Sequence, residues 1–159
     1  NFMKVKLYDI KALKKQTNFI KNKNLIVGFT NGCFDLLHEG HISLLVNSKK
    51  FCDYLIVGLN SDNSVKILKG KSRPIDKEKT RIKKLSARPE IDAIIVFYDE
   101  TPLKLISELI PDVLIKGSDY MEKEVVGSDI VIDNGGKIEF IKLVHGYSTS
   151  RIVKEMNKQ

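Results

Sequence analysis

Two histidines stand three residues apart in Gly32-Cys33-Phe34-Asp35-Leu36-Leu37-His38-Glu39-Gly40-His41. Several kinds of chemistry use such a pair. A metal site would take both imidazoles as ligands, but the helical zinc motif is His-Glu-x-x-His, and His38-Glu39-Gly40-His41 is one residue short. The third histidine is His145, and the two cysteines, Cys33 and Cys52, form no Cys-x-x-Cys that would complete a tetrahedral site. A structural pair would cap or pack a helix. A phosphate site would have both imidazoles donate to an oxyanion beside a helix N-terminus. Cys33 acting as a nucleophile with a histidine base is a further reading, although the sequence offers the thiol no obvious orienting group.

The surrounding pattern says what must position these groups. The apolar run over 25–29 predicts a short strand buried on both faces, as in a parallel sheet. A helix follows from about His41 to Lys50. The histidines therefore stand where a strand's carboxyl end meets a helix start, the usual ligand position in an open parallel sheet. That helix start supplies free N–H groups and partial positive charge. Further strands are expected over 53–59, 91–97 and 113–115, and Ile130 to Ile132 and Ile138 to Ile141 flank Asn134-Gly135-Gly136. Helices are expected over 9–22 with Asp9 as cap, over 76–87 capped by Asp76, from Thr101-Pro102 to Leu109, and from Ser148 to Met156. Asn60 to Ser64 and the lysine-rich stretch after it read as a polar, basic loop. Alternating strands and helices predict an α/β, Rossmann-like doubly wound parallel sheet. Polar clusters after strands 1, 2 and 4 then converge on one sheet edge.

A chain of 159 residues that is 42% hydrophobic and 30% charged predicts a single globular domain over 1–159, with residues 1–23 as a helical extension. No apolar run approaches the ~20 residues of a membrane span. No secretory leader pattern is present, so a cytoplasmic protein with two reduced thiols is expected. The net charge of +7 suits anionic small molecules as well as nucleic acid, and no basic run of five or six residues occurs. Gly70-Lys71-Ser72 has Val65 where a Walker A loop needs glycine, and neither Gly-x-Gly-x-x-Gly nor Gly-x-Ser-x-Gly is found.

Asn31-Gly32-Cys33-Phe34-Asp35 followed by His38-Glu39-Gly40-His41 resembles the His-x-Gly-His signature of the nucleotidyltransferase superfamily, with its cytidylyltransferase-like Rossmann variant. Asn60 to Ile75, Thr101-Pro102, Pro111 to Tyr120, Val126-Gly127 and Gly146 to Ile152 narrow the match. Together they resemble the D-glycero-β-D-manno-heptose 1-phosphate adenylyltransferases, from about residue 24 to 153. In that family the activity occurs free-standing or joined to a kinase, so this chain is expected to be either the free-standing form or an excised domain. The family's Gly-Cys-Ser-Thr-Thr is Gly146-Tyr147-Ser148-Thr149-Ser150 in this chain, which keeps the hydroxyls. Helix 9–22 carries no recognisable motif.

The resemblance implies that ATP and a heptose 1-phosphate give ADP-heptose and pyrophosphate, a precursor step for lipopolysaccharide. The sugar phosphate oxygen attacks the α-phosphorus in line, and catalysis reduces to positioning and charge stabilisation. It assigns His38, His41 and Lys66 to catalysis. Thr30, Asn31, Gly32, Phe34, Gly40, Lys116, Gly117, Asp119, Ser148, Thr149 and Ser150 fall to the nucleotide. Asp35, Lys69 and Arg73 fall to the sugar phosphate, with Asp35 and Asp119 also the acidic candidates for metal or hydroxyl groups. Mg2+ is expected with ATP through the phosphates, and a homodimer without nucleic-acid or membrane partners is implied. A glycerol-3-phosphate cytidylyltransferase is the nearest alternative, and a non-catalytic nucleotide- or RNA-binding module a remote one.

Overall fold

The structure, a computed structural model, describes residues 4–117, 125–143 and 148–158. Asp119 therefore lies outside the described residues, as do His145 and Gly146-Tyr147. In chain order the elements are α1 (Ile10–Asn22), β1 (Val27–Gly32), α2 (Glu39–Lys49), β2 (Tyr54–Asn60), α3 (Asp62–Lys69), α4 (Glu78–Ser86), β3 (Ala93–Phe97), α5 (Leu103–Leu109), β4 (Val113–Gly117), α6 (Ser128–Asp133), β5 (Lys137–Ile141) and α7 (Thr149–Met156). The strands form one parallel sheet in the order β3-β2-β1-β4-β5. The doubly wound α/β expectation agrees with this arrangement.

The two-residue period of the strands sorts their side chains onto opposite faces. Val27 and Phe29 of β1, with Tyr54 and Ile56 of β2, bury against Leu13 of α1, Leu105, Ile106 and Leu109 of α5, and Val131 of α6. Leu55, Val57 and Leu59 of β2 point the other way, onto Leu45 of α2 and onto Ile82 and Leu85 of α4. The sheet is thus sandwiched between two helical layers, as continuously apolar parallel strands require.

The chain winds outward through β2 and β3, then crosses the sheet to β4. The switch point lies between β1 and β4. There, the ladder joins only Gly28 to Val113 and Phe29 to Leu114, whereas β1 and β2 pair from Val27↔Tyr54 to Gly32↔Leu59. Past Phe29 the two central strands have no ladder pairs, and the crevice that parallel sheets use for ligands opens between their ends.

Three local differences from the sequence expectation have clear causes. Asp62–Lys69 is a helix and not a loop, because Ser61 caps it by accepting from Ser64 N–H at 3.1 Å, and Val65 anchors it in the core. Helix α4 begins at Glu78, and Asp76 does not cap it; the Asp76 carboxylate takes Lys84 at 2.5 Å instead. The N-terminal segment does more than lie on the domain as a helix. Tyr8 N–H donates to Ile94 O at 2.9 Å and Ile94 N–H to Lys6 O at 2.8 Å, so residues 6–8 extend the sheet along β3. Asp9 caps α1 through Ala12 N–H at 2.8 Å, as expected.

Candidate active site

Helix α2 begins with an unusual cap. His38 is its N-cap residue, with extended backbone at φ −131°. Its Nδ1 accepts from Gly40 N–H at 3.1 Å and from His41 N–H at 3.4 Å. His41 answers through Nδ1, which accepts His38 N–H at 3.2 Å. This is a capping box in which imidazoles replace the usual hydroxyl and carboxylate. It stacks the two rings at 3.7 Å and 19°, with the Phe34 ring 5.3 Å from His41.

The box settles the tautomers. A neutral imidazole has one donor and one acceptor nitrogen, so two acceptor Nδ1 atoms leave the proton on Nε2 of each ring. Burial holds the His38 pKa below its ordinary value. Burial and then the neighbouring His38 push His41 down to about 3, against a small opposing effect of Asp35. At neutral pH both rings are therefore uncharged N–H donors, held rigidly at a helix start.

The crevice beyond them is a cavity of about 750 Å³. Asn31, Gly32, Phe34, His38, Gly40 and His41 wall it from β1, α2 and the turn between them; Lys69 from the end of α3 and Arg73 from the segment after it; Lys116 and Gly117 from β4; and Ser148, Thr149 and Ser150 from the start of α7. Ser148 caps α7 by accepting from Arg151 N–H at 3.0 Å. Lys116 is half-buried at the β4 end, and burial lowers its pKa while the Cys33 thiol opposes that. Its ammonium makes no salt bridge or hydrogen bond to another described residue. Its desolvated ammonium is suited to an incoming anion. Gly117 has a packing reason, since a Cβ there would stand 2.7 Å from Leu143 Cδ2.

Three assigned residues are not brought to the cavity. Thr30 is buried within β1 and contributes nothing to the wall. Lys66 is exposed on α3, because a helix there turns it away while Lys69 at the helix end lines the cavity. Asp35 is buried, and its carboxylate is spent inside the protein. Oδ2 accepts Arg73 Nε at 2.9 Å and Ile75 N–H at 2.9 Å, and Oδ1 accepts Asp76 N–H at 2.8 Å. The assignment of Asp35 to sugar phosphate, metal or hydroxyl groups is corrected on this ground: no carboxylate oxygen faces the cavity.

Arg81 is a residue that sequence reasoning missed. Its guanidinium is fully buried and donates to Asp76 O at 3.0 Å, Cys33 O at 2.9 Å, Asn60 O at 2.7 Å and Asp62 Oδ1 at 2.8 Å. One side chain thus ties the ends of β1 and β2 to the start of α3. The available signal was an arginine beside Ile82 on the apolar side of an otherwise lysine-rich helix. Asn60 and the Glu100-Thr101-Pro102 turn also line the cavity.

Among the described residues, no group of three or more His, Cys, Asp or Glu could hold a metal ion. The zinc reading of the histidine pair has no support there, since both Nδ1 atoms are engaged with backbone N–H groups. The described helices include none long and apolar enough to cross a membrane.

The cytidylyltransferase-like family model matches residues 29–155. The chain is 47% identical over 152 residues to the bifunctional protein HldE of Paramagnetospirillum magneticum, covering 96% of this chain and 31% of the relative. It is 46% identical to HldE of Caulobacter vibrioides, covering 96% and 32%. The chain spans about a third of the length of these curated relatives. A solved lipopolysaccharide core biosynthesis protein from Thermoplasma volcanium superposes with a TM-score of 0.61 at 29% identity, over 76% of this chain and 97% of that one. A pantoate-beta-alanine ligase from Francisella tularensis shares the fold at a TM-score of 0.62 and 16% identity, over 98% and 80%. A switch-point crevice headed by a stacked histidine cap, and a family match spanning most of the sheet, lead to the same conclusion: this chain belongs to the cytidylyltransferase-like family.

Proposed function

We propose that the chain transfers the adenylyl group of ATP to D-glycero-β-D-manno-heptose 1-phosphate, giving ADP-heptose and pyrophosphate. The observation that carries this reading is the imidazole capping box, which places two neutral imidazoles, His38 and His41, in the wall of the switch-point crevice at a helix N-terminus. Identity of 46–47% to HldE proteins supports the sugar-phosphate side of the reading.

An oxygen of the sugar phosphate attacks the α-phosphorus of ATP in line. The new O–P bond forms as the bond from the α-phosphorus to the bridging oxygen breaks, and that electron pair leaves on pyrophosphate. The nucleophile is already anionic at neutral pH, so no protein base is required. His38 and His41 donate to phosphate oxygens whose charge grows in the transition state, where preformed donors count most. Lys116, Lys69 and Arg73 offset the charge of two phosphorylated substrates. Ser148 and Ser150 offer hydroxyls, and the start of α7 offers N–H groups, to the pyrophosphate portion, while the Thr149 hydroxyl is donated to Asp35 O. Mg2+ brought with the nucleotide would supply positive charge that offsets the phosphates, beside Lys116, Lys69 and Arg73.

The family's name keeps a cytidylyltransferase reading in play. One experiment separates the two: pyrophosphate release with ATP, CTP, GTP and UTP against heptose 1-phosphate and glycerol 3-phosphate. The proposal requires the ATP and heptose 1-phosphate pair to dominate. Preference for CTP with glycerol 3-phosphate would overturn it. The homodimer implied by family resemblance is a separate proposal, read from the mass in solution.

A further inference from the structure

We infer that Asp35 is a positioning residue that sets the Arg73 guanidinium, and with it the start of α7, for a phosphate group. This rests on the phosphate-site reading above and assigns a new role inside it. Three chain segments meet at Asp35. Its carboxylate holds Arg73 Nε and the backbone N–H groups of Ile75 and Asp76, and its own carbonyl accepts the Thr149 hydroxyl of α7. Phe34 at φ 49° and Leu36 at φ 51° flank it in the left-handed region. That conformation is strained for a non-glycine residue and persists where the surroundings impose it.

The form of the ion pair carries the inference. An arginine that serves only to neutralise a carboxylate commonly offers it two nitrogens in a fork. Here Asp35 takes Nε alone, at 2.9 Å, with the Asp35 side chain fully buried and Arg73 only 7% exposed. Neither terminal nitrogen bonds the carboxylate. One reaches Ser150 Oγ at 3.4 Å, and Arg73 and Ser150 both line the cavity. The carboxylate thus fixes the orientation of a fork whose outer edge suits phosphate. It also joins that fork to α7, a helix with no buried side chain of its own.

The test is a double-mutant cycle on the full chain, read as kcat/KM for ATP and sugar 1-phosphate with Mg2+ titrated in parallel. Asp35→Asn and Arg73→Ala should each cost about 100-fold, the scale of losing one transition-state donor. The double variant should fall no more than about threefold below Arg73→Ala, because the two residues act as one unit. Half-saturation by Mg2+ should be unchanged in Asp35→Asn. Arg73→Lys keeps the charge yet should lose at least about tenfold, since one ammonium cannot serve Asp35 and the cavity together. Arg73→Lys also decides the matter if Asp35→Asn fails to fold. Multiplicative losses, a large shift in Mg2+ requirement, or a wild-type-like Arg73→Lys would overturn the role while leaving adenylyl transfer intact. Wild-type protein without turnover on any substrate pair would instead overturn the functional reading beneath it.

Discussion

The imidazole capping box separates two jobs that one residue performs. His41 Nδ1 accepts His38 N–H at 3.2 Å, while Nε2 carries the donor proton. Asparagine places an acceptor oxygen near the Nδ1 position but nothing near Nε2. Glutamine reaches the Nε2 position with an amide donor but leaves the cap. His41→Asn should therefore keep the fold and lose the chemistry. Its turnover should fall by roughly two to three orders of magnitude, about 2.7–4 kcal/mol, with little change in KM for ATP. His41→Gln should lose a cap worth about 0.5–2 kcal/mol. For a domain of this size that lowers the melting temperature by roughly 1–8 °C. It should retain more turnover than His41→Asn. Thermal melts and initial rates on the two variants make the comparison. Turnover by His41→Asn within threefold of wild type would refute the donor role. Equal rate losses in both variants would refute the tautomer assignment.

Other consequences follow from single side chains. Arg81→Leu orphans three backbone carbonyls and should cost about 3–5 kcal/mol. That corresponds to a melting temperature lower by roughly 6–20 °C, and a change under about 2 °C would contradict the network. Lys116→Met should lower kcat/KM at least about tenfold by removing a desolvated cation from the cavity wall, whereas Lys66→Ala on the exposed side of α3 should stay within about threefold. The reverse order would restore Lys66 to the site. Ligand-free protein should lose stability as pH falls from 7 to 5. The folded state keeps His41 neutral down to about 3, whereas the unfolded chain takes up a proton near pH 6.5, so acid favours unfolding. Asp35 lies below the ordinary carboxylate range, because hydrogen bonds from Ile75, Asp76 and Arg73 outweigh its burial, so it adds little within that window. Melts of wild type and His41→Asn across pH 5–7 read the difference, and a steeper acid loss in the variant would contradict it.

What the sequence made legible was local and repetitive. Leu55 to Leu59 and Val113 to Ile115 announce buried strands because parallel strands carry apolar groups on both faces. His38 and His41 announce themselves by spacing, and Ser148 by standing at the head of an amphipathic helix. What stayed hidden depends on partners far along the chain. Asp35 reads as a free acid at a strand end, and only the fold brings Arg73, 38 residues away, against it. Arg81 reads as one more cation in a lysine-rich helix until its four acceptors are in place. Lys66 reads as a loop cation because the polar run from Asn60 to Ser64 masks a short helix anchored by Val65 alone among its apolar residues. The pairing of residues 6–8 with β3 has no sequence signal, since backbone hydrogen bonds at a sheet edge impose no side-chain pattern.

The central claim is transfer of the adenylyl group, and the fate of the α-phosphorus tests it most directly. ATP labelled at the α-phosphate, incubated with heptose 1-phosphate and Mg2+, should deliver its label to a sugar nucleotide, while label at the γ-phosphate should appear in pyrophosphate. Label retained in ADP, with the γ-phosphate passed to the sugar, or no labelled sugar nucleotide at all, would contradict the account.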